Sequence, residues 1–288
     1  MKTLRLAFVD FAVNWGVFPS PVDFFVRTLR DEYEVRVVRS DWCGNPINTN
    51  ETPDLVIFSH PGSEHAKYDC PKIFFSGEPC DLNFDNYDYA MTYHFSDDSR
   101  HYRLPLYALY GDINKLTEPR IYRPEMFNRT FCCVLFGKSY PYAETPREAF
   151  FHELCKYKKV DSAGRHLNNV GFTIRPEEKA DFISHYKFTL AFESCSLLGF
   201  STEKIFEPLL RNTVPVYWGN PAIHLDFGVG SYVNCNQYNF LDEAIRVIIE
   251  ADQHESWYRN MIERPIIVSD CVKKENIVNF IKGILNDA

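Results

Sequence analysis

The residue that first suggests chemistry is Lys204. In the stretch STEKIFEPLLRNTVPVYWGN, Ser201 to Asn220, residues Ile205, Phe206, Leu209 and Leu210 share one helical face, and Ser201 stands where an N-cap would. Lys204 then falls in the first turn, beside backbone N–H groups that together carry about half a positive charge, a placement that calls for an anion. Arg147 repeats the pattern. In YAETPREAFFHEL, Thr145 reads as an N-cap, Pro146 as the first helical residue and Glu148 as the partner in a Thr-x-x-Glu capping box, which puts Arg147 in a first turn. One such cation can simply point into water. Two, on successive strand-to-helix corners, fit a pyrophosphate held by helix N–H groups and both side chains.

Other residues bear on the same chemistry. In PKIFFSGEPCDLNF the apolar run Ile73–Phe75 ends at Ser76–Gly77, so Glu78 leaves the carboxyl end of a buried strand. A carboxylate there could take a proton from a hydroxyl, or serve as a loop cap or ion-pair partner. Glu193, Ser194, Phe200 and Glu203 bracket the loop before the Lys204 helix and could meet sugar hydroxyls and a ring face, although Phe200 equally suits core packing. His60, Glu64 and His65 match no strong metal-ligand spacing. No Asp-x-Asp pair occurs to clamp a metal–nucleotide complex, and glycine-rich phosphate cradles are missing.

The elements that must position these residues read as an alternation. Strand-like runs at Leu4–Val9, Tyr33–Val38, Leu55–Ser59, Ile73–Phe75 and Tyr89–Thr92, with a helix at Pro21–Arg30, begin one open sheet. A second series runs strand Thr130–Leu135, helix Pro146–Tyr157, strand Lys159–Val160, helix Glu177–His185, strand Phe188–Phe192, helix Thr202–Arg211 and strand Val214–Tyr217. Such alternation predicts parallel sheets covered by helices on both faces. The proline-containing stretch Tyr107–Arg129 reads as the junction between domains 1–125 and 126–288. Two amphipathic helices are expected at Leu241–Arg259 and Lys274–Leu285, the last packing back across the junction. The expected fold class is therefore α/β, with two facing Rossmann-like domains and a ligand cleft between them.

Composition excludes several alternatives. The 288 residues are 45% hydrophobic and include 24 phenylalanines, enough for a full core, while the net charge of −8 argues against a nucleic-acid footprint. Nine cysteines without a C-x-x-C pair suggest neither a disulfide framework nor a zinc site, but a reducing compartment. Arg5 and Asp10 interrupt the N-terminal apolar run, which makes a poor signal peptide, and no apolar stretch is long enough to span a membrane. A soluble cytoplasmic protein is expected, at most peripheral at a membrane.

The segment YKFTLAFESCSLLGFSTEKIFEPLLRNTVPVYWGNP closely resembles the donor-binding motif of glycosyltransferase family 10, the α1,3/4-fucosyltransferases, of bacterial type. The resemblance extends to FFSGEPCDLNFDNYDYA, YRLPLY, the Arg147 helix, VDSAG and NNVG, and so spans roughly Lys72 to Val233. It implies the GT-B arrangement and inverting transfer of fucose from GDP-fucose to a GlcNAc-containing acceptor such as N-acetyllactosamine, in the synthesis of Lewis-type surface glycans and lipopolysaccharide. By position it casts Glu78 as the general base, Arg147 and Lys204 as pyrophosphate partners, and Glu193, Ser194, Phe200 and Glu203 as further donor-site residues. The N-terminal domain would hold the acceptor oligosaccharide. No metal would be required, a divalent ion being at most stimulatory. Ser194 stands where bacterial members usually carry asparagine, and Phe200 where tyrosine is common, so another GDP-sugar is an alternative donor. A non-catalytic sugar- or nucleotide-binding protein is a further alternative.

Overall fold

A computed structural model describes residues 1–11, 20–42, 46–60, 62–85, 87–111, 114–138, 145–238 and 241–287. The chain divides into two compact units, Met1–Gly111 with Asp270–Ala288, and Asp112–Ser269.

In the first unit, strand β1 (Lys2–Val9) is followed by helix α1 (Pro21–Leu29), then by strands β2 (Tyr33–Ser40), β3 (Ile47–Asn48), β4 (Leu55–Phe58), β5 (Lys72–Ser76), β6 (Tyr89–Thr92) and β7 (His101–Arg103). They form one sheet in the order β3-β2-β1-β4-β5-β6-β7. Every pairing is parallel except β2 with β3. The central strand β4, Leu-Val-Ile-Phe, is buried along its whole length, as a strand covered on both faces must be. Ser20 caps α1 by accepting from the Asp23 N–H, and Pro21 suits its first turn.

The second unit opens with the short helices α2 (Asn114–Thr117) and α3 (Pro124–Phe127). Strand β8 (Thr130–Val134), helix α4 (Arg147–Cys155), strand β9 (Val160–Ser162), helix α5 (Lys179–Ser184) and strand β10 (Tyr186–Phe192) come next. Helix α6 (Glu203–Leu210), strands β11 (Val214–Trp218) and β12 (Val233–Asn234), and helices α7 (Leu241–Gln253) and α8 (Glu255–Ile262) complete it. Its all-parallel sheet has the order β12-β11-β10-β8-β9. Phe188, Leu190 and Phe192 of β10 join Phe150, Val214, Val216 and Tyr258 in one core.

Three expectations change. The division falls at Gly111, not at 125, because the expected junction is folded onto the second unit. There the buried guanidinium of Arg120 donates to the Met261 carbonyl (2.9 Å), the Tyr122 hydroxyl bonds Glu255 (2.6 Å), and Met126 enters the core. The last helix, α9 (Lys274–Asp287), packs back across the junction onto α1 as expected, and so belongs to the first unit and not to the 126–288 domain. Its apolar face is buried at Ile277, Val278, Ile281 and Ile284, with Lys274 paired to Asp31 and Lys282 to Glu32. The helix expected over Leu241–Arg259 is two helices, because His254 adopts an extended backbone (φ −117°, ψ 104°) that redirects Tyr258 and Ile262 into the core.

Candidate functional site

The pocket of the second unit lies at the carboxyl ends of β8 and β10, where the N-termini of α4 and α6 converge. Its volume is about 240 Å³, and five of its lining residues are cationic: Lys138, Arg147, Arg165, Lys179 and Lys204. Two of these, Arg147 and Lys204, stand out in the sequence itself. The other three lie on separate segments, Lys179 at the start of α5, and share no motif, so only folding brings them together.

A buried carboxylate organises the α6 end. Glu193 follows β10 directly and is 0% exposed. Its oxygens accept from the Thr202 N–H (2.8 Å) and hydroxyl (2.8 Å) and from Lys204 Nζ (3.0 Å). Burial pushes the Glu193 carboxyl up from its ordinary value, while the Lys204 ammonium and the Thr202 donors pull the other way. The α6 N-cap is Thr202 rather than Ser201: its hydroxyl accepts from the Lys204 N–H (3.5 Å). Glu203, next along α6, has Lys204 at 3.6 Å and Lys179 at 4.0 Å. Burial opposes its ionisation, but the two ammonium groups prevail and hold its carboxyl below the ordinary value. Lys179 also pairs with Glu207.

Two small residues make this packing possible. A Cβ on Gly219 would stand 2.4 Å from Glu193 Cγ, so the WGN segment must carry glycine there. Asn220, 0% exposed, accepts from the Gly199 and Ala222 N–H groups (2.8 and 2.9 Å) and donates to Ser201 Oγ (3.0 Å), pinning the loop before α6. Sequence alone assigns neither of them a role. An Asn-turn directly after a strand is the signal that could have singled them out.

At the other corner, Arg147 opens α4 and is 5% exposed. Its guanidinium donates to the Lys138 carbonyl and lies 5.0 Å from the centre of the Phe136 ring. Pro146 is the N-cap, one residue later than expected, and the Thr145 hydroxyl accepts from the Arg147 N–H (3.3 Å). Glu148 reaches His166 Nε2 at 2.8 Å. The glycine of the VDSAG segment has a steric reason, since a Cβ on Gly164 would stand 2.2 Å from the Phe136 carbonyl oxygen. Of the remaining expected donor-site residues, Ser194 lines the pocket, whereas Phe200 is 1% exposed and does not.

Glu78 sits in the first unit, half-buried just past β5. Its N–H donates to Ser76 Oγ (3.3 Å), whose hydroxyl donates back to the Glu78 carbonyl (3.1 Å). Gly77 serves space rather than an unusual backbone: a Cβ there would stand 2.3 Å from Leu106 Cδ1. His65 turns onto Asp10 while Glu64 pairs with Lys67, and no group of three potential metal ligands occurs among the described residues. Within the N-terminal domain expected to hold the acceptor, residues 12–19 lie outside the described residues.

Residues 6–110 match the model of the α-(1,3)-fucosyltransferase FucT N-terminal domain, and residues 131–263 that of the glycosyltransferase family 10 (fucosyltransferase) C-terminal region. The chain is 30% identical to the α-(1,3)-fucosyltransferase FucT of Helicobacter pylori over 77% of its own length and 54% of that protein's, so it spans about half of that relative. It also resembles a crystal structure of an α1,3-fucosyltransferase (25% identity, TM-score 0.77, covering 99% of this chain and 90% of that one). Another, of an α1,3-fucosyltransferase with GDP, gives 26% identity and TM-score 0.77 over 99% and 91%. The fold class is thus α/β with two Rossmann-like domains of the GT-B type. Each unit carries one of the two matching models in family order, and the chain belongs to glycosyltransferase family 10, the fucosyltransferases.

Proposed function

We propose that the chain is an inverting α1,3-fucosyltransferase that moves fucose from GDP-fucose to a GlcNAc-containing acceptor such as N-acetyllactosamine. The observation that carries this reading is the convergence of Lys204 and Arg147, on two helix N-termini, in one pocket of the second unit. Pyrophosphate oxygens there would meet both cations and the α6 N–H groups. Lys138, Arg165 and Lys179 would add charge without a resident metal.

In the reaction, an acceptor hydroxyl oxygen attacks C1 of fucose as the bond from C1 to the β-phosphate oxygen breaks. GDP departs, and Glu78 takes the hydroxyl proton. Charge develops on the leaving pyrophosphate, where Lys204 and Arg147 stabilise it. Glu203, ionised beside two lysines, suits the donor hydroxyls and the cationic sugar. Glu193 acts one step back: it is enclosed by Thr202 and Lys204 and sets where the ammonium points. Phe200 supports the same loop from its buried position.

One observation favours a second donor. Ser194 lines the pocket with a short hydroxyl, which leaves room for a GDP-sugar other than fucose. In either case we place the enzyme in the bacterial cytoplasm, building Lewis-type surface-glycan precursors; among the described residues no helix is long and apolar enough to cross a membrane. The test is mass spectrometry of N-acetyllactosamine incubated with the protein and, in turn, several GDP-sugars. Addition of a deoxyhexose from GDP-fucose supports the proposal, and transfer of only a different sugar overturns the donor assignment.

A further inference from the structure

The first unit contains its own pocket, of about 550 Å³, at the carboxyl ends of β4 and β5. His60, His65, Asp81 and Asn83 line it, together with Pro79 and Cys80, which directly follow Glu78. None of its described lining residues is lysine or arginine, so it is unsuited to a pyrophosphate.

His65 is the most constrained of these side chains. Asp10, directly after β1, is 7% exposed and has a left-handed backbone (φ 62°), tolerable for aspartate but uncommon. Its N–H donates to Asp41 (2.6 Å). Its carboxylate accepts from the Glu64 N–H (2.9 Å), the His65 N–H (3.0 Å) and His65 Nδ1 (2.6 Å). Burial works against ionisation of Asp10, but these donors outweigh it and hold the carboxyl below its ordinary value. Gly62 gives the carboxylate its room, since a Cβ there would stand 2.0 Å from Asp10 Oδ1. The His65 ring also stacks on Phe58, with centroids 3.9 Å apart and planes 14° apart.

An ionised carboxylate only accepts, so Nδ1 carries a ring hydrogen, and in the neutral imidazole Nε2 is then the acceptor. No described group bonds Nε2. The two backbone N–H bonds already fasten the Gly62–His65 turn to Asp10, and the third bond fixes the ring's orientation and tautomer as well. Nε2 of the neutral ring and the Asp81 carboxylate are acceptors, and no described lysine or arginine lines the pocket beside them. The matching ligand brings hydroxyl donors and no phosphate.

Building on the transferase reading, we propose that this pocket binds the acceptor saccharide and that His65, oriented by Asp10, accepts a hydrogen bond from one of its hydroxyls through Nε2. The interaction is ground-state binding, separate from proton removal by Glu78.

The experiment pairs initial rates with saturation-transfer NMR, using N-acetyllactosamine as the saccharide probe. His65→Asn retains an N–H donor for Asp10 and removes the outer acceptor; His65→Phe retains the stacking and removes both nitrogens. Both variants should raise the acceptor KM at least tenfold and weaken saturation transfer to the saccharide, with calorimetric GDP affinity and the urea midpoint of His65→Asn held. Unchanged KM and NMR contact, a loss confined to kcat, or a parallel loss of GDP affinity overturns the assignment, as does absence of saccharide contact in wild type. The NMR arm needs no donor. His65-dependent contact without any transfer therefore supports the pocket while rejecting the transferase reading.

Discussion

Five cationic side chains line the pocket of the second unit, while none of the described residues lining the pocket of the first is lysine or arginine. Both are nonetheless organised alike. Asp10 follows the interior strand β1 and Glu193 the central strand β10, each a buried carboxylate at the carboxyl end of a parallel strand. Asp10 collects two backbone N–H donors and an imidazole, Glu193 one backbone N–H, the Thr202 hydroxyl and an ammonium. The balance differs: donors prevail at Asp10 and lower its pKa, burial prevails at Glu193 and raises it. One topological position thus yields a site that presents an imidazole or one that presents an ammonium, according to the side chain the carboxylate orients.

The largest expected effect separates the proposed roles of the two units. Glu78→Gln keeps the size of the side chain and removes the base, so transfer should fall by roughly 10²–10⁴-fold. GDP affinity, a property of the second unit, should hold. Turnover assays beside calorimetry check both, and undiminished transfer would remove Glu78 from the mechanism.

The complementary substitutions come next. Lys204→Ala and Arg147→Ala each delete charge-assisted bonds to the pyrophosphate, for a loss of about 1.5–3 kcal/mol, or about 10–100-fold in GDP affinity. Lys204→Ala also strips the cation from buried Glu193, so its unfolding midpoint should drop as well. Arg147→Ala loses packing over Phe136. Wild-type GDP affinity in both variants would reject the division of labour between the units.

The scaffold was more legible in the sequence than the site's supporting contacts. Uninterrupted apolar runs such as Leu55–Phe58 mark strands buried on both faces, and β6 emerged with its expected bounds. Strands β3, β7 and β12, two or three residues each, carry no such run and were invisible. Lys204 and Arg147 stood out because a cation in a first turn violates a local rule. Asp10 and Asn220 violate none, and Lys179, which also falls in a first turn, stands out only once α5 is placed beside α6. Their roles come from neighbours remote in sequence: Asp10 with His65, Lys179 with Glu203 and Glu207, Asn220 with Gly199 and Ser201.

The smallest expected effect tests the electrostatic contrast away from either ligand. His101 is 9% exposed beside the buried Thr92 hydroxyl, with Nε2 at 2.9 Å. Burial, aided by His94 and Arg103 and opposed by Asp98, brings its pKa from 6.5 down to about 4. The unfolded chain therefore binds more protons than the folded one between about pH 4 and 6.5, and His101 costs the first unit stability as pH falls through that window. The slope is up to about 1.4 kcal/mol per pH unit. His94, lowered by burial, acts in the same sense, and Asp41, raised by burial, acts against it. In the second unit Glu193 and Glu207 are raised, so they remain protonated longer folded than unfolded, and their contribution declines as pH rises above 4.5. Hydrogen exchange corrected for intrinsic rates should therefore show protection of β6 rising from pH 4.5 to 6.5 while protection of β10 falls. His101→Gln should flatten the first trend and leave the second. A β6 trend unaffected by that substitution would mean that the acid sensitivity of the first unit resides elsewhere, with Asp10 and its imidazole partner the next pair to test.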